Sequence, residues 1–276
     1  MIDMCIIAED RIVCSNEDEG TVRLYEDLGT EFTILENVCT MNEFRGTKIS
    51  PIGITFNKKK KRIYICDSAQ NRIIMTTTQL YGLKTTSYTN EEAHTFGICR
   101  FISCNDSNLF VSDFGKFCIQ ILSLDLDFMD TIKLDFRPEM LDVSESTLCV
   151  TGDDVFCFYN LETKTIKSRY ECNFARINYI SPWFYVFDWR VKTFFKFDND
   201  GFLVDEIKAN KLFNTKNVDP YDGRIGFLKK SLIVSCYSKN ELIELKISES
   251  TSDSFNSSKA DSEADSEVDS ENMIYQ

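Results

Sequence analysis

Apolar and polar positions follow one another along this chain in a unit that returns six times: an apolar stretch, a turn, a near-continuous apolar run closing on a small or acidic residue, and a further apolar run. The first two runs of each unit are Ile2–Ile7 with Arg11–Ser15, Pro51–Phe56 with Arg62–Asp67, Phe96–Phe101 with Leu109–Asp113, Pro138–Val143 with Leu148–Gly152, Arg176–Ile180 with Phe184–Asp188, and Arg224–Leu228 with Leu232–Cys236. Aligned residues of the first run, Met4, Ile54, Ile98, Leu141, Ile177 and Ile225, are separated by 50, 44, 43, 36 and 48 residues. That period suits one four-stranded propeller blade per unit. Five units carry a more polar fourth segment, Glu31–Leu35, Lys84–Tyr88, Asp130–Leu134, Thr165–Arg169 and Leu203–Ile207, as an outermost edge strand requires.

The second run is the diagnostic one. A strand packed between neighbouring blades is buried on both faces and loses the polar alternation of a half-exposed strand, as Tyr64-Ile65-Cys66 and Tyr185-Val186-Phe187 have done. The runs sit between Gly, Asp, Asn and Pro turns, and no window has sustained helical spacing. The pattern predicts an all-β body over residues 1–247, a six-bladed β-propeller of four-stranded antiparallel blades. The sixth unit has three strands and the first begins without a spare one, so the ring closes either through Met273–Tyr275 or with a three-stranded last blade.

Residues 248–276 differ in kind. They are rich in Ser, Asp and Glu, with eight acids against Lys259, too polar to bury a core, and are expected to be a disordered acidic tail. Ser250, Ser258, Ser262 and Ser266 each precede an acid by three residues, an acidophilic kinase pattern. The formal charge of −13 is concentrated there, which leaves the body mildly acidic and leaves open how its charge divides between faces.

Eleven cysteines, an odd number scattered through predicted strands, read as buried free thiols. With His94 the single histidine, a Cys/His zinc set is not available. The N-terminus lacks a signal-peptide pattern and no run reaches membrane-spanning length. A cytoplasmic location, no membrane partner and no cofactor or metal are expected.

Antiparallel blade topology sorts the surface charges. The connection from a fourth strand to the next blade and the turn between second and third strands emerge on one face. That face receives Arg45, Lys48, Arg137, Arg176 and Arg224, joined by Arg72, Lys116, Arg190 and Lys239. The opposite face receives Glu26, Asp27, Asp125, Asp127, Glu162, Asp198 and Asp200. Lys58–Lys61 and Lys229-Lys230 depart from this sorting in one direction, and Glu91, Glu92, Asp153 and Asp154 in the other.

The second unit, Pro51-Ile-Gly-Ile-Thr-Phe56 followed by Arg62-Ile-Tyr-Ile-Cys-Asp67-Ser-Ala-Gln-Asn71-Arg72-Ile73, resembles the NHL repeat. Asp113 and Asp188 keep its strand-ending Asp, whereas Asn16, Gly152 and Cys236 replace it. The resemblance implies a propeller like the C-terminal domain of tripartite RING, B-box and coiled-coil ubiquitin ligases, which binds protein or structured RNA on the inter-blade loop face. This chain has no zinc-ligand series for ligase activity. A non-catalytic module binding a protein or peptide is therefore expected, with partner-binding residues Arg45, Lys48, Arg72, Arg137, Arg176, Trp189, Arg190, Tyr221 and Arg224. Structured RNA is the alternative ligand. A metal-dependent propeller hydrolase or lyase is a second alternative, with Asp3, Asn57, Asp142 and Asn178 lining the channel. The tail would compete for the basic face.

Overall fold

The computed structural model describes residues 3–27, 32–35, 49–86, 95–172, 175–188, 191, 193–208, 225–228, 231–236 and 241–246. The chain divides into two units, Met1–Lys246 and Ile247–Gln276. All described strands belong to the first, and the expectations about the acidic tail lie outside the described residues.

Blade 1 is β1 (Met4–Ala8), β2 (Arg11–Asn16), β3 (Thr21–Asp27) and β4 (Phe32–Leu35), and blade 2 is β5 (Pro51–Asn57), β6 (Arg62–Asp67), β7 (Arg72–Thr77) and β8 (Gly82–Thr85). Blade 3 is β9 (Cys99–Cys104), β10 (Asn108–Asp113), β11 (Cys118–Ser123) and β12 (Phe128–Lys133). Blade 4 follows with β13 (Leu141–Val143), β14 (Thr147–Gly152), β15 (Val155–Asn160) and β16 (Thr165–Glu171), then blade 5 with β17 (Ala175–Ile180), β18 (Trp183–Asp188), β19 (Thr193–Phe197) and β20 (Leu203–Lys208). Each is an antiparallel meander in chain order. The last repeat gives β21 (Ile225–Leu228), β22 (Ser231–Cys236) and β23 (Glu241–Lys246), a three-stranded sheet.

The propeller thus has five four-stranded blades, not the six that the repeat count predicts. The shortfall is in the last unit, where no polar fourth segment follows β23 among the described residues. Inner strands β1, β5, β9, β13 and β17 pack in succession, and β21 touches both β17 and β1. Two first strands also begin later than their apolar runs: β9 starts at Cys99 rather than Phe96, and β13 at Leu141 rather than Pro138. The skipped residues belong to the inter-blade connections, where side chains such as Phe96 and Met140 are buried without being in a strand.

The second strands are buried as their composition requires. Ile63, Tyr64, Ile65 and Cys66 of β6 are all 0 % exposed. Successive side chains of a strand point to opposite faces, and here they feed two different cores. Ile63 and Ile65 join Val13, Val22 and Ile54 between blades 1 and 2, while Tyr64 and Cys66 join Ile102, Leu109 and Val111 between blades 2 and 3. In β10, Leu109 and Val111 face the blade 2 side and Phe110 packs with Leu141, Leu148 and Val150 of blade 4. Each second strand therefore glues two interfaces, which is why a continuous apolar run is selected there. Gly53 shows how close the inner strands come: a Cβ on it would lie 2.6 Å from the Phe101 Cα and 2.7 Å from the Arg100 carbonyl oxygen of β9.

Polar residues of the first strands fasten each blade to the next. The Asp3 carboxylate accepts the Ile54 N–H at 2.8 Å, and the Ser15 hydroxyl donates to the Ile52 carbonyl at 2.7 Å. Asn57 donates its amide to the Asn105 carbonyl at 2.8 Å. Asp142 accepts the Ser103 hydroxyl at 2.5 Å from blade 3 and the Tyr179 N–H at 2.7 Å from blade 5. The acids and amides that sequence placed along the channel as potential cation ligands are thus engaged in these inter-blade bonds, and Asn178 is buried beside them. Among the described residues no three His, Cys, Asp or Glu side chains form a metal-binding group.

Nine cysteines, among them Cys5 and Cys104, are free thiols, seven of them buried. Burial pushes Cys157 up to about 11, and burial with the nearby Asp113 carboxylate pushes Cys118 to about 11. Cys14, Cys66 and Cys149 are raised too, chiefly by burial. A thiol must ionise to react. In a maleimide pulse on native protein followed by peptide mapping, Cys5 and Cys104 should label well before the buried seven. The neutral thiols favour the fold below their ordinary value of 9.0, and that contribution is lost as pH rises from there through about 11. Labelling of Cys118 and Cys157 at the rate of Cys5 would contradict this.

Candidate partner-binding face

The residue that closes each second strand organises the face where the inter-blade connections emerge. Asp67 accepts the Ser50 N–H of the incoming connection at 3.0 Å and the Arg72 Nε at 2.8 Å. Asp113 accepts the N–H groups of Gly97 and Ile98 from the incoming connection, that of Lys116 from the turn, and the Gln120 amide at 2.7 Å. Asp188 holds the Val191 N–H and the Cys172 thiol, each at 3.3 Å. One carboxylate thus ties an arriving connection to the turn that follows its own strand, giving short loops fixed positions. Blade 4 has Gly152 in that place, and the task passes one residue on: Asp153 accepts the Arg137 N–H at 2.7 Å.

On these pinned loops, at the boundary of blades 3 and 4, cations and aromatic rings meet. The turn Phe114–Phe117 between β10 and β11 presents a half-buried Phe114 and an exposed Phe117, and the Phe114 N–H donates to the Ile98 carbonyl at 2.9 Å. The Arg100 guanidinium lies over the Phe114 ring at 4.1 Å from its centroid. Arg137, in the connection from β12 to β13, lies over Phe114 at 5.4 Å and Phe117 at 5.3 Å. Such contacts hold a guanidinium in place while leaving its N–H edge for other acceptors. Arg100 also reaches Glu139 at 3.4 Å. A cavity of about 140 Å³ opens alongside, lined by Glu139, Asp153 and Asp154 together with Thr151 and Gly152.

Of the nine residues that sequence assigned to partner binding, three are described. Arg137 sits in the aromatic cluster. Arg176, half-buried at the start of β17, directs its guanidinium to the Met140 sulfur at 3.0 Å, so it flanks the same connection from the blade 5 side. Arg72 is turned inward to Asp67, whose carboxylate is wholly buried. Arg45, Lys48, Trp189, Arg190, Tyr221 and Arg224 lie outside the described residues, as does His94. Arg100, Phe114 and Phe117 were not foreseen. Their signal was an Asp-Phe-Gly-Lys-Phe turn placing two large apolar side chains where polar ones are usual.

Several charges of the opposite face are paired internally. Asp125 pairs with Arg62 at 2.7 Å and Lys60 at 3.8 Å, and the Arg62 hydrogen bond holds its carboxyl below the usual range. Asp127 pairs with Lys84, and Arg11 with Glu26. The lysine-rich turn at 58–61 thus stands among carboxylates of the next blade.

No model of a known protein family matches the chain, and no curated protein matches it in sequence. Solved structures do match in shape. One is virginiamycin B lyase from Staphylococcus aureus, 10 % identical with a TM-score of 0.59 over 89 % of this chain and 94 % of the enzyme. The chain is built as a β-propeller. A chain of the nidogen/laminin complex is 17 % identical, with a TM-score of 0.58 over 76 % of this chain and 80 % of that one. Hydrazine synthase of Kuenenia stuttgartiensis is 9 % identical, with a TM-score of 0.59 over 89 % and 95 %. Identities this low speak for a shared architecture, which serves an enzyme in one case and a protein complex in another. NHL character is not added by them.

Proposed function

We propose that this propeller is a non-catalytic recognition module that binds a protein partner on the face carrying its inter-blade connections. The observation that carries the reading is Arg137: an exposed guanidinium, positioned by two phenylalanine rings on loops pinned by Asp113 and Asp153, and facing no carboxylate among the described residues. Arg and Phe on a rigid support are favourable anchors for a partner. The opposite face, where Arg11, Arg62 and Lys84 are paired with carboxylates, offers less. The architecture is consistent with the reading, since a propeller of similar shape occurs in the nidogen/laminin complex. Free described thiols fit a reducing compartment such as the cytoplasm.

The test is quantitative affinity capture from the cells that make the protein, comparing wild type, a Phe117→Ser/Arg137→Ser variant and a Lys58→Ser/Lys59→Ser control on the other face. Enriched proteins should be lost with the first variant and kept with the control. Identical capture by all three would reject this face as the working surface, and recovery of RNA in place of protein would replace the partner class.

A further inference from the structure

We propose that the Arg137 guanidinium, set over the rings of Phe114 and Phe117, is the docking point for a carboxylate side chain on an acidic, partly apolar segment of the protein partner. The inference rests on the recognition reading above and supplies its chemistry.

The other described arginines are engaged, Arg176 with the Met140 sulfur. Arg11, Arg23, Arg62, Arg72, Arg100 and Arg169 each face a carboxylate. Among the described residues Arg137 faces none; the Asp153 carboxylate accepts its backbone N–H. The residue is exposed, so its charged fork is open to an incoming acceptor. Its two ring contacts reduce the freedom that binding would otherwise remove, so the site is organised before the ligand arrives. A guanidinium edge presents parallel N–H groups that match the two oxygens of a planar carboxylate.

The surroundings define the rest of the ligand. Phe117 and Ile98 are 41 % and 43 % exposed, and Ile98 lies against the same turn, so an apolar residue beside the acid gains contact area. Glu139, Asp153 and Asp154 border the neighbouring cavity. That acidic margin repels a continuous phosphate backbone more than a peptide whose few carboxylates can point away from it, which favours a peptide over RNA.

The experiment is fluorescence anisotropy on the full chain with three labelled peptides, Gly-Glu-Leu-Glu-Phe-Gly, its Gln counterpart and its phosphoserine counterpart, and with a short oligouridine. The Glu peptide should bind about tenfold or more tighter than the Gln peptide, the scale of a charge-assisted hydrogen bond. Arg137→Gln should erase that preference with an unchanged thermal transition, and Arg137→Lys should lose most of it, since the charge survives and the fork does not. Equal affinity for Glu and Gln peptides, a preference retained in Arg137→Gln, no binding of any peptide, or tightest binding to phosphoserine or RNA would each overturn the inference. If the Glu and Gln peptides bind alike while the face variant still loses the captured partner, carboxylate docking fails and the recognition reading stands. Capture indifferent to that variant removes the reading itself.

Discussion

Replacing Gly152 by alanine is expected to destabilise the protein by about 3 kcal/mol or more, at the upper end for overpacking. A Cβ at this position falls 1.8 Å from the Arg137 carbonyl oxygen and 2.8 Å from its carbon, both backbone atoms. The connection cannot simply withdraw. Phe136 is anchored in the core between blades 3 and 4. Downstream, the Glu139 N–H donates to Thr151 at 2.7 Å and the Thr151 N–H returns a bond to Met140 at 2.8 Å. Any relief must break one of these bonds or move Arg137 off the phenylalanine rings, so stability and binding should fall together. Urea unfolding of Gly152→Ala should show a lower midpoint at an unchanged slope. A midpoint equal to wild type would mean that the backbone approach is wrong. The position is informative because sequence comparison with the other units marks Gly152 as a departure from Asp, whereas the structure explains it as the residue that lets the connection lie against β14.

Much of the architecture was legible because burial on both faces leaves a strong mark. Ile63–Cys66 and Leu109–Val111 have no polar position to spare, and both are second strands as expected. Strand starts were less legible, since apolar residues also fill the undersides of loops. Phe96 and Met140 continue the hydrophobic runs of β9 and β13 yet belong to connections whose amides are held by Asp113 and Thr151. The count of four-stranded blades failed at the last unit, where three strands are legible and no described segment of the repeat supplies the fourth that a sixth such blade needs. For the face, topology alone placed Arg137 correctly. It could not separate Arg137 from Arg72, which follows a turn on the same face but answers an aspartate five residues earlier. Arg100 was hidden within an apolar run, and Phe114 and Phe117 within a turn. Their meeting is a tertiary event between two blades, for which a single sequence carries no local sign.

Asp113 links that tertiary event to the repeat, and Asp113→Ala should produce the second large effect. The carboxylate is 0 % exposed and serves the N–H groups of Gly97, Ile98 and Lys116 and the side-chain amide of Gln120. Alanine leaves these donors without their acceptor in a site that water does not enter freely. A buried unsatisfied donor costs about 1–3 kcal/mol. Because loop relaxation recovers part of that, a net loss of roughly 3–5 kcal/mol is expected, within the range for breaking a buried charged network. Asp113→Asn keeps one acceptor oxygen and should lose less, which separates loss of hydrogen bonding from a general effect of mutating a buried site. The functional consequence follows from geometry. With Gly97 and Ile98 released and Lys116 left only the backbone carbonyl of residue 113, the Phe114–Phe117 turn loosens, and Arg137 loses the rings that position it. In Asp113→Asn, folded at low temperature, the Glu-peptide preference should therefore weaken even though no residue touching the peptide has changed. If Asp113→Ala shifts stability by less than about 1 kcal/mol, or if Asp113→Asn binds the Glu peptide as wild type does, the pinned-turn account of this face is wrong.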